Sequence, residues 1–241
     1  MNPTGLVVSC EHGGHDVPPA YASLFAGHEA LLDSHRGWDP GALELGRQFS
    51  RAFGAPLHAS TTTRLLIDLN RSIGHRYLFS SLTRGLEPAQ RDEIVRRYYR
   101  PYRDRVEGDI ARRIARGVPV IHVLSHSFTP VLNGAVRRAD VAWLYDPRRR
   151  REAVLARRWM TELAQRRSDL QLRRNYPYRG RDDGLALQLR ARHSQADYLG
   201  LELEVSQRFV EQGGAAWSAL RGDLVASLAA ALAHEPARAA R

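Results

Sequence analysis

Lysine is absent from this 241-residue chain; all 36 of its basic residues are arginine. Set against 26 acidic residues, they leave a formal net charge of +10, a balance that raises nucleic acid or an anionic membrane as a partner. A complete lack of lysine reads instead as compositional bias. The densest cluster, Arg148 to Arg151 with Arg157-Arg158, Arg166-Arg167 and Arg173-Arg174, falls on or beside one predicted helix and reads as a solvated face. Nucleic-acid binding is therefore kept only as a rival reading. A single cysteine, Cys10, excludes an intramolecular disulfide and leaves the redox compartment unconstrained. The start of the chain has no basic region followed by a long apolar run, so no signal peptide is expected. The longest apolar stretch, 224–233, contains serine and is too short to span a bilayer. A soluble, cytoplasmic protein with no membrane partner is the expectation. No Pro/Gly/Ser-rich linker and no repeat interrupts the chain, which predicts one domain over 1–241.

What is present is organised around Gly5-Leu6-Val7-Val8-Ser9-Cys10-Glu11-His12-Gly13-Gly14-His15. Residues 6–10 read as a short apolar strand, ended by two glycines that let the backbone turn sharply. Glu11, His12 and His15 follow, where a metal ion or a catalytic base is useful. Open α/β sheets carry their chemistry outside the carboxyl ends of such strands.

Further along, 18–25 predicts a short helix. Asp39-Pro40 is a strong helix start, with aspartate as N-cap and proline in the first helical position. Leu45, Phe49, Ala52 and Phe53 follow at helical spacing and Gly54 closes the helix. A strand is predicted over 56–60. A long helix over 87–116 carries Ile94, Tyr98, Tyr102, Val106, Ile110 and Ile114 as one apolar stripe, with Pro101 expected to kink or split it. Strands are predicted over 118–124, 141–145, 170–172 and 198–205. Helices are predicted over 150–167, 184–192 and 215–234, with a frayed tail at 236–241. Alternation of strands and helices predicts an α/β fold, a sheet covered by helices on both faces.

Ligand-type residues stand at or near the ends of separate strands: His12, His126 and Glu204, with Asp39 in a strand-to-helix loop. Two histidines and a carboxylate are a common protein shell for catalytic zinc, and a further carboxylate can serve as general base. Glu204 suits that task because its apolar neighbours raise its pKa. Glu202 shares its side of the strand by two-residue periodicity and is the alternative. Arginine suits recognition of a substrate carboxylate through a bidentate fork. Asp39 has two readings, helix cap or ligand. His15 and His35 read as solvent-facing or as supporting residues, His122 as structural, and Asp68 as a group that orients Arg64 or Arg71.

Several segments, in order along most of the chain, resemble the N-formylglutamate amidohydrolase family. They are Ser9-Cys10-Glu11-His12-Gly13-Gly14 with Pro18, His35-Arg36-Gly37-Trp38-Asp39-Pro40-Gly41-Ala42 and Arg64-Leu65-Leu66-Ile67-Asp68-Leu69-Asn70-Arg71. They continue with His126-Ser127-Phe128-Thr129-Pro130, Asn175-Tyr176-Pro177-Tyr178 and Leu201-Glu202-Leu203-Glu204-Val205. The family is similar in fold to zinc carboxypeptidases and aspartoacylases, which implies a three-layer αβα architecture around a central mixed sheet. The resemblance implies a Zn2+ cofactor held by His12, His126 and Asp39, and Glu204 as general base. It also implies Arg64 at the oxyanion, and Asn70 with Arg71 on the carboxylate of a small N-acyl amino acid such as N-formylglutamate. There are two departures. His15 stands where carboxypeptidases and aspartoacylases place a glutamate three residues after the first histidine, so it competes with Asp39 as third ligand. The loop Arg137-Arg138-Ala139-Asp140 differs from the Arg-Pro-Trp pattern of closer relatives. Both leave the acyl group open, with an aspartoacylase-like or carboxypeptidase-like amidase as the alternative.

Overall fold

The computed structural model describes residues 5–233. Its strands are β1 (Gly5–Cys10), β2 (Leu57–Ala59), β3 (Val120–Phe128), β4 (Val131–Leu132), β5 (Ala135–Val136), β6 (Val141–Leu144), β7 (Leu172–Arg174) and β8 (Tyr198–Ser206). The α-helices are α1 (Glu29–Asp33), α2 (Ala42–Phe53), α3 (Pro88–Ile94), α4 (Arg100–Ala115), α5 (Arg150–Arg166), α6 (Leu185–Arg192), α7 (Arg208–Gln212) and α8 (Gly214–Ala233). A 3-10 helix spans Pro19–Leu24 and a π-helical turn spans Val95–Tyr99.

Six strands form one sheet in the order β2-β1-β3-β8-β6-β7. The first four are parallel, β6 runs antiparallel to β8, and β7 runs parallel to β6. The sheet is mixed and covered on both faces, as the sequence predicts. On one face Val8, Val123, Leu201 and Leu203 pack with Phe49 of α2, Trp159 of α5 and Leu224 of α8. Trp159 meets Phe49 and Trp143 edge-on, each with ring centroids 5.7 Å apart, and its indole N–H donates to the Leu224 carbonyl. On the other face Val7, Val120, Leu124 and Tyr198 pack with the apolar run 65–69, with Tyr102, Val106 and Ile110 of α4, and with Leu185 and Leu189 of α6. Burying such a side chain contributes about 1.5–3 kcal/mol, so the doubly covered sheet is a rigid platform for whatever its carboxyl edge carries. No helix among the described residues is long and apolar enough to cross a membrane.

The structure corrects several boundaries. β3 runs on to Phe128, four residues beyond the predicted end. Ser125, His126 and Ser127 stay in the ladder because β8 continues beside them, with His126 opposite Glu204. His126 is therefore a strand residue and not a loop residue. α2 starts at Ala42, with Gly41 at the N-cap in the left-handed region (φ 79°) and no side-chain cap. Asp39 and Pro40 lie before the helix, so the capping reading of Asp39 is wrong. A Cβ at Gly41 would sit 2.4 Å from Val210, which makes this turn depend on glycine. The long helix is split just before Pro101. The Arg100 N–H bonds the Val95 carbonyl five residues back, so the buried stripe steps from Ile94 to Tyr99 in place of Tyr98. The hairpin β4–β5 was not anticipated, although Asn133-Gly134, both at positive φ, is a strong two-residue turn signal. The short strand predicted at 170–172 sits at Leu172–Arg174. The tail 236–241 and His234 lie outside the described residues.

One buried ion pair ties these layers together. Glu152 of α5 is fully buried and accepts from Arg149 Nε (3.0 Å), Arg190 Nε (3.0 Å) and the backbone N–H groups of Asp146 and Gly200 (both 3.1 Å). Arg190 also donates to the Gly180 and Gly200 carbonyls. Removing the carboxylate strands a buried guanidinium, which typically costs about 3–5 kcal/mol. Glu152→Ala is expected to lose that much unfolding free energy in urea titrations at neutral pH. A loss under about 1 kcal/mol would show that Arg190 is satisfied without it.

Candidate active site

The carboxyl edge of the sheet gathers His12 just past β1, His126 on β3, and Glu202 with Glu204 on β8. Asp39 arrives from the loop before α2, and the segment 64–71 after β2 adds Arg64, Asp68, Asn70 and Arg71. His12, Asp39, His126 and Glu204 are all at most 5% exposed. They line, with Arg64, Asn70 and Arg71, one cavity of about 120 Å³.

Three of these residues form a cluster that could hold a metal ion: His12, Asp39 and His126 offer ligand atoms within 4.8 Å of one another. Asp39 Oδ2 lies 2.9 Å from His126 Nδ1 and 3.4 Å from His12 Nδ1. The outer nitrogens face carboxylates, in a hydrogen bond for His12 and by proximity alone for His126, whose bonded nitrogen is Nδ1. His12 Nε2 lies 2.8 Å from Asp68 Oδ1, and His126 Nε2 lies 3.0 Å from Glu11 Oε2. A carboxylate only accepts, so His12 donates from Nε2, and in that tautomer its Nδ1 lone pair faces a second carboxylate. Nδ1 is buried with no hydrogen-bond partner. Two acceptors facing each other across 3.4 Å are satisfied by a cation between them. A carboxylate behind an imidazole, as Asp68 stands behind His12, is the usual means of fixing a metal-binding tautomer. The donor set of two nitrogens and one oxygen fits zinc.

The remaining charges support the same geometry. Burial alone would raise the Asp39 and Asp68 carboxyls. Instead the His12 imidazole and the Arg64 guanidinium beside them, joined for Asp39 by a bond from His126, hold both well below the usual carboxylate range. Arg64 bridges the two, donating from Nη1 to Asp39 (3.2 Å) and from Nη2 to Asp68 (2.8 Å). Glu11 would also rise through burial, but His126 and bonds from Ser9 and Tyr102 bring it to about 2. Burial would lower His126; the carboxylates of Asp39 and Glu11 outweigh that and raise it well above the ordinary imidazole value. Glu204 is different: burial dominates and lifts it to about 7, and its Oε2 has no partner among the described residues. Glu202 is also raised by burial and is hydrogen-bonded by Asn70.

Asn70 and Arg71 both line the cavity and are braced from behind. Asn70 Oδ1 accepts from the Leu185 N–H (2.8 Å). Arg71 Nη1 donates to the Asp183 carbonyl, and the Tyr99 hydroxyl donates to the Arg71 carbonyl (2.7 Å). The buried Nε of Arg71 has no hydrogen-bond partner among the described residues, so that donor is unspent. His15 stands apart: it is half-exposed, 3.4 Å from Asp33, and stacked near Trp38. It is not in the cluster, and Asp39 takes the third position. His35 lines the cavity. Asp68 orients Arg64, as expected, and also His12.

Tyr102 and Asp183 carry no site reading in the sequence, and Glu11, which does as a metal- or base-type residue, instead stands behind His126. Glu11 is the last residue before His12, a fully buried acid at a strand end. Its hydroxyl partner Tyr102 lies 91 residues away (2.7 Å), and no local pattern shows that contact.

The architecture and the buried two-histidine, one-carboxylate cluster at its sheet edge define a class of α/β proteins with a metal-type site. Within that class the identity is specific: residues 4–210 match the model of the N-formylglutamate amidohydrolase family, and the chain belongs to that family. The gene product Atu2144 of Agrobacterium tumefaciens is similar in structure, with a TM-score of 0.82 and 29% identity over 97% of this chain and 93% of that one. N-formylglutamate amidohydrolase from Ralstonia eutropha JMP134 shares the fold, with a TM-score of 0.65 and 19% identity over 95% and 93% of the two chains. No curated protein matches the sequence.

His122 sits on the same face of β3 as His126 and is structural. It is fully buried between Ser9 Oγ (2.8 Å) and the Tyr198 hydroxyl (3.0 Å), and burial lowers its pKa to about 3. In the unfolded chain it titrates near 6.5, so below that value the unfolded state binds the extra proton. Its contribution to stability is thus complete above pH 6.5 and is lost progressively as pH falls toward 3. The unfolding free energy of the wild type should fall by roughly 1 kcal/mol per pH unit across that window on this account. His122→Gln should show a shallower slope, measured by urea denaturation from pH 7 to pH 4. Parallel slopes would show that His122 is protonated in the folded state.

Proposed function

We propose that the protein is a zinc-dependent amidohydrolase that cleaves the N-formyl or another N-acyl amide of an acidic amino acid. The observation that carries this reading is the cluster of His12, Asp39 and His126 beside an unpartnered, buried Glu204. His12 Nδ1, Asp39 Oδ2 and His126 Nδ1 would hold the metal. When bound, zinc acts as a Lewis acid on an amide carbonyl and makes water acidic enough to attack at neutral pH.

The protein residues do the rest. Glu204 takes the proton of the attacking water, and a carboxyl with a pKa near 7 is well matched to then give that proton to the leaving amine. Arg64 has five N–H donors, two of which are spent on Asp39 and Asp68. The others suit the oxygen that becomes negative in the tetrahedral state. Arg71 grips the substrate carboxylate through its unspent Nε donor. Asn70 sets the depth of the clamp through Leu185 and Glu202. Five buried carboxylates, Glu11, Asp39, Asp68, Glu202 and Glu204, surround this cavity or its rear wall, and a divalent cation offsets that excess.

Metal-loaded protein is expected to release amine from N-formylglutamate, and Glu204→Gln should lower kcat by about 10²- to 10⁴-fold. The same variant should bind zinc with unchanged stoichiometry, close to one ion per chain by metal analysis after dialysis. Wild-type turnover in Glu204→Gln would transfer the base role to Glu202. Arg71→Lys keeps the charge and loses the fork, so KM for acidic substrates should rise with kcat and zinc content retained. Equal KM values in a steady-state comparison would remove Arg71 from substrate binding.

A further inference from the structure

Five large apolar side chains stand out as exposed among the described residues: Ile73, Tyr77, Val131, Val136 and Tyr178, from 43% at Tyr178 to 67% at Val136. Scattered singly, such residues need no explanation. Here all five fall on three loops that also line the active-site cavity: the segment after Asn70 and Arg71, the hairpin after Phe128 and Thr129, and the segment around Tyr178 and Arg179.

The three loops are joined around the mouth. Asp183 accepts from the backbone N–H and the hydroxyl of Ser72. On the other side Arg137 of the hairpin stacks on Tyr178 (5.2 Å) and lies over Phe128 (6.0 Å), and its guanidinium donates to the Tyr178 hydroxyl (3.4 Å). The middle loop is pinned from below. Asn175 Oδ1 accepts from the Tyr145 and Gly180 N–H groups, and a Cβ at Gly180 would sit 2.2 Å from the Tyr145 nitrogen. The hairpin is set by its Asn133-Gly134 turn, with Val131 and Val136 paired directly across it. The loops thus hold these exposed apolar side chains in set positions beside the cavity, and apolar surface gathered next to a cavity is a candidate binding surface.

Resting on the amidohydrolase reading above, we propose that the rim receives an apolar acyl group of the substrate, so that the enzyme prefers N-acyl amino acids with a chain of several carbons over the N-formyl compound. If Arg71 holds the carboxylate and the His12, Asp39 and His126 cluster meets the amide carbonyl, the acyl group is what remains to leave the cavity. β3 continues from His126 through Phe128, a lining residue, straight into the hairpin. Val131 and Val136 are therefore the exposed apolar side chains that come next along that wall after Phe128.

The test compares N-formyl-, N-acetyl-, N-butanoyl- and N-hexanoyl-glutamate as substrates of the zinc-loaded full chain and of its Val131→Ser/Val136→Ser variant. The expected result is a rise in kcat/KM of roughly tenfold from formyl to hexanoyl, as for two or three partly covered methylenes. The variant should lose that rise while keeping the wild-type rate on the formyl compound. A flat or falling series, or a rise that survives in the variant, would overturn the proposal. So would a dimer in sedimentation that the variant dissociates, combined with a flat series, since the rim then seats a second copy. Absence of turnover for every member would instead sink the amidohydrolase reading, and this inference with it.

Discussion

Everything at the sheet edge depends on how Asp39 is held. Its carboxylate is 4% exposed and receives two imidazoles and a guanidinium at once. A buried charge is costly unless every lone pair has a partner. Arg64 and His126 each bond Asp39, and His12 faces it at 3.4 Å, because three distant segments converge on it: the turn after β1, β3 and the segment carrying Arg64. Asp68 repeats the arrangement one step outward, accepting from His12, from Arg64 and from the Asn70 N–H (2.9 Å). The two aspartates with Arg64 between them form a charged frame. Metal-type nitrogens, a cavity-lining guanidinium and the backbone of Asn70 are all fastened to it. Such a frame is intolerant of partial loss, since removing any member leaves the others buried and unpaired.

The class of fold could be read from the sequence because alternation of apolar strands and amphipathic helices is local information. The edge of the sheet was legible too: His12, Asp39, His126 and Glu204 converge, and Asn70, Arg71 and Arg64 line the same cavity. What escaped detection has a common cause. β3 was expected to stop at 124 because Ser125-His126-Ser127 is polar, and polarity is a poor guide where strand residues serve a site instead of a core. Asp39-Pro40 looked like a helix cap because local chemistry favours one; the left-handed Gly41 and the charges across the cavity overrule it. The roles of Glu11 and Tyr102 depend on a contact between residues 91 positions apart, which no periodicity encodes.

The site divides into parts set by strands and parts set by loops. Strand pairing places His126 opposite Glu204, so the separation of that histidine from the proposed base is inherited from backbone hydrogen bonding. The substrate-facing wall is built differently. The loops bearing Arg71, Val131 and Tyr178 are cross-linked by side chains and pinned through Asn175, Gly180 and Arg190 to Tyr145 and Glu152. On the proposed reading, chemistry is carried by the fixed geometry of a sheet, and selectivity by a surface whose side chains can change without disturbing it.

The π-helical turn at Val95–Tyr99 gives one helix two employers. Because the extra residue advances the helix face, Tyr99, Tyr102 and Arg103 point inward together at spacings of three and four. Tyr99 then reaches the Arg71 carbonyl, Arg103 the Leu69 carbonyl, and Tyr102 the Glu11 carboxylate behind His126. The turn works as a phase adjuster between chain and sheet. With a regular helix in its place, the downstream face would be rotated by about 100° relative to the apolar residues upstream, and Ile94 and these three groups could not face the core at once. The Arg71 segment and the metal-type cluster are therefore tuned by one rotation, so evolution cannot reposition either of them along this helix without moving the other.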